Sequence, residues 1–189
     1  MNSVLIVSSN DKGTDMLIQL VKSDNSPHIS TVDNGGEARR AILLNDYDLI
    51  IINAPLLDEF GHEFSISATE KTSAGVILIV KSEIADGVSA KVENYGTLVV
   101  TKPINKGIFY QTMKLANASR NRMMGLQNEN AKLQNKLEEI RLIDRAKCIL
   151  IQYLKLTEPQ AHRHIEKQAM DMRITKKEVA EGILKTYET

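Results

Sequence analysis

Five short runs rich in aliphatic and β-branched residues, set at intervals through the first hundred positions, restrict this chain more than anything else in it. They are Val4–Val7, His28–Val32, Leu49–Ile52, Val76–Val80 and Leu98–Val100. Leu49-Ile50-Ile51-Ile52 has no polar position at all, the pattern of a strand covered on both faces. Between the runs lie segments with helical spacing, carrying Met16, Leu17, Leu20 and Val21 in one case and Ala38, Ala41 and Ile42, within 37–44, in another. Strands alternating with helices predict an α/β fold, a doubly wound five-stranded parallel sheet. In such sheets the functional crevice lies beyond the carboxyl ends of the strands. The residues that end the strands, Ser8, Ser9, Asn53, Lys81 and Lys102, are therefore the candidates for a site in this region.

Those positions carry a resemblance. The segment Val4-Leu5-Ile6-Val7 with Ser8-Ser9-Asn10, Asp48 to Asn53 with Pro55 and Gly61, Val80-Lys81-Ser82-Glu83, and Lys102-Pro103 resemble the frame and loops of the receiver domain of two-component response regulators, from Met1 to about Lys114. The resemblance implies an aspartate nucleophile and two acidic residues that hold Mg²⁺, a hard cation that takes carboxylate oxygens. Here the nucleophile position is Asn53 and the metal positions are Ser8 and Ser9. Lys81 stands where a hydroxyl would sense the phosphoryl group, Val99 at the aromatic switch position, and only Lys102 remains. The expectation is a degenerate, pseudo-receiver head that does not run phosphoryl transfer, with no metal and no cofactor. Lys102 is expected as a hydrogen-bonding strut; the sharper alternative is that Lys81 and Lys102 together recruit an anion or a partner carboxylate.

From near Lys106 to about Leu156 the chain has no proline and a single glycine after its first turn, Gly125. Met123, Leu126, Asn130, Leu133, Leu137 and Ile140 alternate at spacings of three and four, an a/d seam. An asparagine on such a seam fixes register and favours a parallel pair. A homodimer through this coiled coil is expected, against the alternative of one long helix packed on its own C-terminal unit.

The last fifty residues read as three helical stretches with very short joins. Leu142, Ile143, Ala146, Ile149, Leu150, Tyr153 and Leu154 share one face of the first. Thr157 before Glu158-Pro159 and Thr175 with Glu178 three residues on are helix-start signals, the latter a capping box. So small a unit buries little by itself. Ala146-Lys147, Leu150, Leu156-Thr157-Glu158, Ala161, Ile165, Ala169-Met170 and Val179-Ala180 with Ile183 resemble the ANTAR domain, the RNA-binding output module of transcription antiterminators. Cys148, where the family usually has glycine, and Ile140, where arginine is common, depart from it. The division expected is 1–114 for the receiver-like head, 115–140 for the coiled-coil linker and 141–189 for the ANTAR-like three-helix domain.

Charge is distributed in keeping with this. Residues 1–116 carry 10 basic and 14 acidic side chains, −4, whereas 141–189 carry 10 and 7, +3. RNA binding needs cations for phosphates and polar or aromatic groups for unpaired bases. The candidates are Arg141, Arg145, Ala146, Lys147, Gln152 and Lys155 on or after the first helix, and Arg163, Lys167, Arg173, Lys176 and Lys177 on the next two. Lys147 leads because charge and motif coincide there, with Ala146 beside it to admit the RNA. Tyr153 is expected in the core rather than stacked on a base, and Cys148 in core or interface packing. His162 and His164, two apart on a helix, lack metal-ligand spacing. One cysteine excludes an internal disulfide, and with no signal-like run near Met1 the expected location is the cytoplasm, with no membrane partner. The function implied by the two resemblances is a non-enzymatic antiterminator that binds stem-loops of a leader transcript, its head answering a signal other than aspartyl phosphorylation. The alternative is an adaptor whose head binds a regulatory protein and whose tail binds no RNA; a phosphorylation-dependent regulator fails on Asn53.

Overall fold

The computed structural model describes residues 2–22 and 27–187. The order is β1 (Ser3–Ser8), α1 (Asp11–Lys22), β2 (His28–Val32), α2 (Gly35–Leu44), β3 (Leu49–Asn53), α3 (His62–Lys71), β4 (Gly75–Lys81), α4 (Ala85–Val92), β5 (Leu98–Lys102), α5 (Lys106–Leu154), α6 (Glu158–Met172) and α7 (Lys176–Tyr187). The strands form one parallel sheet in the order β2-β1-β3-β4-β5. The chain divides into two compact units, Met1–Gly125 and Leu126–Thr189, with α5 contributing to both.

In the first unit alternate strand residues build two cores. Leu5, Val7, Ile50, Ile52, Val76, Leu78 and Val80 pack with Ala38 and Ile42 of α2, Phe64 and Ala68 of α3, and Val88 and Val92 of α4. On the other face Val4, Ile6, Leu49, Ile51, Ile77, Ile79 and Val100 meet Leu17, Leu20 and Val21 of α1 and Phe109, Met113 and Ala116 of α5. Helices cover both faces, which is why the interiors of the central strands are apolar and polar residues appear only at their ends. The start of α5 is seated closely: a Cβ on Gly75, at the head of β4, would lie 2.9 Å from Ala116 Cβ and 3.0 Å from its carbonyl oxygen. Arg120, one turn further, pairs with Asp48 at 2.7 Å. Asp48 also accepts the N–H groups of Asn2 and Ser3. Burial pushes this carboxyl up, but the Asn2 N–H and the Arg120 guanidinium outweigh it and leave it below the usual range.

The second unit has its own core of Ala146, Ile149, Leu150, Ala161, Ile165, Ala169, Val179, Ala180, Ile183 and Leu184. The helix starts follow the sequence signals. Gln160 Oε1 accepts the Thr157 N–H at 2.9 Å. Glu178 Oε2 accepts the Thr175 N–H at 2.7 Å, while Thr175 Oγ1 accepts the Glu178 N–H at 3.2 Å, a reciprocal capping box. Among the described residues no helix is long and apolar enough to cross a membrane.

Candidate nucleic-acid interface and the neutral head pocket

Ser8, Asn53, Lys81 and Lys102 close four strands at the carboxyl edge of the sheet, Ser8 beside Asn53 and Lys81 beside Lys102 in register, with Ser9 directly after β1. Asn53, buried, donates from Nδ2 to Ser8 Oγ at 2.9 Å. The α1 backbone presses on the same amide, since a Cβ on Gly13 would lie 2.7 Å from Asn53 Nδ2. Ser9 Oγ donates to Pro55 O at 2.9 Å. Lys102 Nζ donates to Ala54 O at 2.6 Å, and burial together with the nearby Lys81 holds its ammonium below the ordinary lysine range. Lys102 thus bridges β5 to the loop after β3, the strut geometry. That loop is fixed at its far end as well. Asp58 accepts the Gly35 and Gly36 N–H groups at the start of α2, at 2.7 and 2.9 Å, which lower its carboxyl, and Glu59 takes a bidentate pair from Arg39 at 2.6 and 2.9 Å. Side chains that would be acidic in a working receiver are here a neutral amide and two hydroxyls, already spent on one another and on backbone carbonyls.

In the second unit the candidate cations separate by what they touch. Lys147 reaches Asp144 and Glu158, each at 2.9 Å, and these two acids hold its ammonium above the ordinary range. It ties α5 to α6. Lys176 pairs with Glu166, whose carboxyl this lysine lowers, and Lys177 lies 4.0 Å from Glu181. His162 Nε2 stands 3.2 Å from the same Glu166. By contrast Arg141, Lys155, Arg163, Lys167 and Arg173 make no ion pair among the described residues. Arg141, Lys155, Arg163 and Arg173 are exposed. Arg141, Arg145, Cys148 and Gln152 recur at i, i+4, i+7 and i+11 and share one face of α5. Arg163 and Lys167 do so on α6.

Three expectations are corrected. Ala146 has no accessible surface and belongs to the core of the unit, so it offers nothing to a ligand in this arrangement. Tyr153 is 55% exposed, because it sits in the last turn of α5 where the core has run out, and its ring leans on Tyr187 at 5.1 Å. Cys148 is exposed and so not in the core of its own unit, since its neighbours Lys147 and Ile149 take the directions toward α6 and the core. Met123, Leu126, Leu133, Leu137 and Ile140 are 49–56% exposed, so the seam is not packed within either unit. The sequence reading also missed a groove beside α7.

Residues 131–184 match the family model of the ANTAR domain. Over 173 residues the chain is 26% identical to the transcriptional regulatory protein PdtaR of Mycobacterium tuberculosis, in strains CDC 1551 and H37Rv alike, covering 92% of this chain and 84% of the relative. Among solved structures, the response regulator TrrA of Thermotoga maritima, in complex with Mg²⁺–BeF, is similar with a TM-score of 0.53 at 23% identity, covering 61% of this chain and 99% of that one. An adenylate cyclase of Rhodopirellula baltica gives a TM-score of 0.63 at 13% identity, with 70% and 99% covered. At these identities the structures speak for the fold alone. The chain carries an ANTAR domain at 131–184, joined to a head with the receiver fold in which the acidic positions are neutral.

Proposed function

We propose that this protein is a cytoplasmic, non-enzymatic antiterminator that binds stem-loops in a leader transcript through its C-terminal unit. The match of residues 131–184 to the ANTAR domain carries this reading. The faces bearing Arg141 with Arg145 and Arg163 with Lys167 support it: A-form RNA is met through its phosphates, and its bases are read where a loop leaves them unpaired. Two copies held through the α5 seam would present two such units to paired stem-loops. The head acts without aspartyl phosphorylation, because an amide at Asn53 has no carboxylate oxygen with which to form an acyl phosphate.

The test is fluorescence anisotropy with a stem-loop RNA against a plain duplex of the same stem. The full chain should prefer the stem-loop. Replacing Arg141 and Arg145 by alanine should weaken binding and reduce the log–log salt slope by somewhat under about one unit for each phosphate no longer neutralised. Equal binding of loop and duplex refutes the stem-loop reading, and binding of neither favours the adaptor.

A further inference from the structure

A groove of about 370 Å³ runs along the second unit between the end of α5, α6 and α7. That is within the range of about 300–1,000 Å³ usual for small-ligand sites. Its floor is apolar, from Leu150, Val179 and Ile183, and the Tyr187 ring stands at one end. Four polar side chains line it besides the Tyr187 ring: His164, Gln168, Glu178, and Thr186, whose hydroxyl donates to Gly182 O at 2.8 Å. Glu178 spends Oε2 on the Thr175 N–H and hydroxyl, whereas its Oε1 accepts nothing among the described residues. The Thr175 backbone N–H and hydroxyl hold this carboxyl below its ordinary value, so at neutral pH it is an acceptor only.

The rim is as informative as the floor. Lys155 follows Leu154, and Arg173 lies between Met172 and Ile174; all three neighbours line the groove. Lys155 and Arg173 are the only non-glycine residues with positive φ among those described, at 58° and 56°. Both end helices at the left-handed position that glycine ordinarily fills without strain. Two cations are therefore kept at a conformational cost, each next to the groove, and neither makes an ion pair among the described residues. At Arg173 backbone bonds close the helix, its N–H reaching Met170 O at 3.3 Å and the Ile174 N–H reaching Ala169 O at 3.1 Å, so the side chain is left for the rim.

We propose that the groove receives one unstacked nucleobase from the RNA loop, a base bearing an exocyclic amino group, with Lys155 and Arg173 meeting the phosphates on either side. The base stacks on Tyr187, backed by Tyr153, and its amino group donates to Glu178 Oε1 while Gln168 pairs with a neighbouring ring position. Uracil has no such amino group and leaves Glu178 unsatisfied. A helix from a second copy is a poorer occupant, since it would bury the Glu178 carboxylate without a donor matched to it. The inference rests on the RNA-binding reading above and adds the place and the chemistry of base selection.

The test uses the full chain and one stem closed either by adenosines or by uridines. Wild type should bind the adenosine loop about tenfold more tightly or better, as expected for one stacked and hydrogen-bonded base. Gly182 lines the groove, and a Cβ there meets nothing within 4 Å. Gly182→Leu should thus fill the groove while favouring helix, keep binding to the uridine loop and abolish the preference. Arg173→Gly should melt no lower than wild type, its strain relieved, yet bind the adenosine loop more weakly with a shallower salt slope. A Gly182→Leu chain that keeps the full preference overturns the groove assignment and leaves RNA binding intact. No binding of either loop by wild type overturns both readings. A change of oligomeric state in Gly182→Leu without RNA makes the groove a seat for a second copy and overturns the assignment.

Discussion

If two copies pair through the α5 seam as proposed, replacing Leu133 and Leu137 by glutamate should separate them into monomers. The magnitude follows from what the seam leaves uncovered. Met123, Leu126, Leu133, Leu137 and Ile140 each keep about half their surface exposed, between 49 and 56%. Fully burying such a side chain contributes about 1.5–3 kcal/mol, so covering the remaining half contributes about 1 kcal/mol each. Five per chain make ten in a pair, or about 10 kcal/mol gross. Association costs at least about 4 kcal/mol in lost translational and rotational freedom, which leaves a surplus of up to about 6 kcal/mol. That corresponds to a dissociation constant of some tens of micromolar. The double substitution removes four of the ten side chains, about 4 kcal/mol or nearly a thousandfold, before the repulsion of facing carboxylates is added. Sedimentation equilibrium across the tens-of-micromolar range should show a dimer that dissociates on dilution for wild type and a monomer for the variant. Wild type monomeric throughout that range, or a variant that still pairs, would refute the reasoning. Asn130→Leu should tighten association while broadening the mixture of oligomers, because the polar residue that selects one register is gone.

Other expectations can be checked separately. Incubation with a small phosphodonor and Mg²⁺ should leave the intact mass unchanged, since Asn53, Ser8 and Ser9 supply neither nucleophile nor carboxylate ligands; a phosphate-sized increment on the head contradicts this. Asp48→Asn should destabilise the head by about 1–3 kcal/mol, the charge-assisted bonds to Arg120 being removed while the guanidinium stays largely covered. Because the folded Asp48 carboxyl lies below its unfolded value, its contribution is fully present above the unfolded pKa of about 4 and fades as pH falls through the lower folded value. The gap in Tm between wild type and Asp48→Asn should therefore be flat near neutrality and close only in acid. Lys147→Ala should lower the stability of the second unit by about 1 kcal/mol, its two acid partners being more than half exposed and screened. Its RNA salt slope should match wild type, whereas a slope shallower by nearly one unit would return Lys147 to the interface.

The strands are legible in the sequence because each is short and bounded by turns, and all but β2 are mainly apolar; a chain with five of them has few ways to cover both faces. Their spatial order is not, since strands apolar on both faces pair equally well with several neighbours. The residues of the head pocket are legible for a topological reason: whatever ends a parallel strand stands at the carboxyl edge. Their hydrogen bonds are not, and neither are the tasks of Asp48 and Asp58. These carboxylates find their partners at Arg120, Asn2, Gly35 and Gly36, far away in sequence, where no periodic pattern reaches.

In the second unit the same limit reverses the ranking of candidates. Lys147 and Ala146 stand out in the sequence because a motif and a charge coincide there, but a motif weights a position equally for folding and for contact. Ala146 fills the core, and Lys147 spends its charge eleven residues away on Glu158. Arg173 and Lys155 draw less notice, although each stands directly after a helical pattern where glycine would end the helix with least strain. Gly182, alone inside a helical pattern, marks an open surface in the same way. In so small a module most residues that match a family pattern are needed to close the core. Under the proposed base-binding reading, selectivity would fall to positions where local propensity is contradicted, and Gly182 lines the groove while Arg173 and Lys155 each adjoin residues that do.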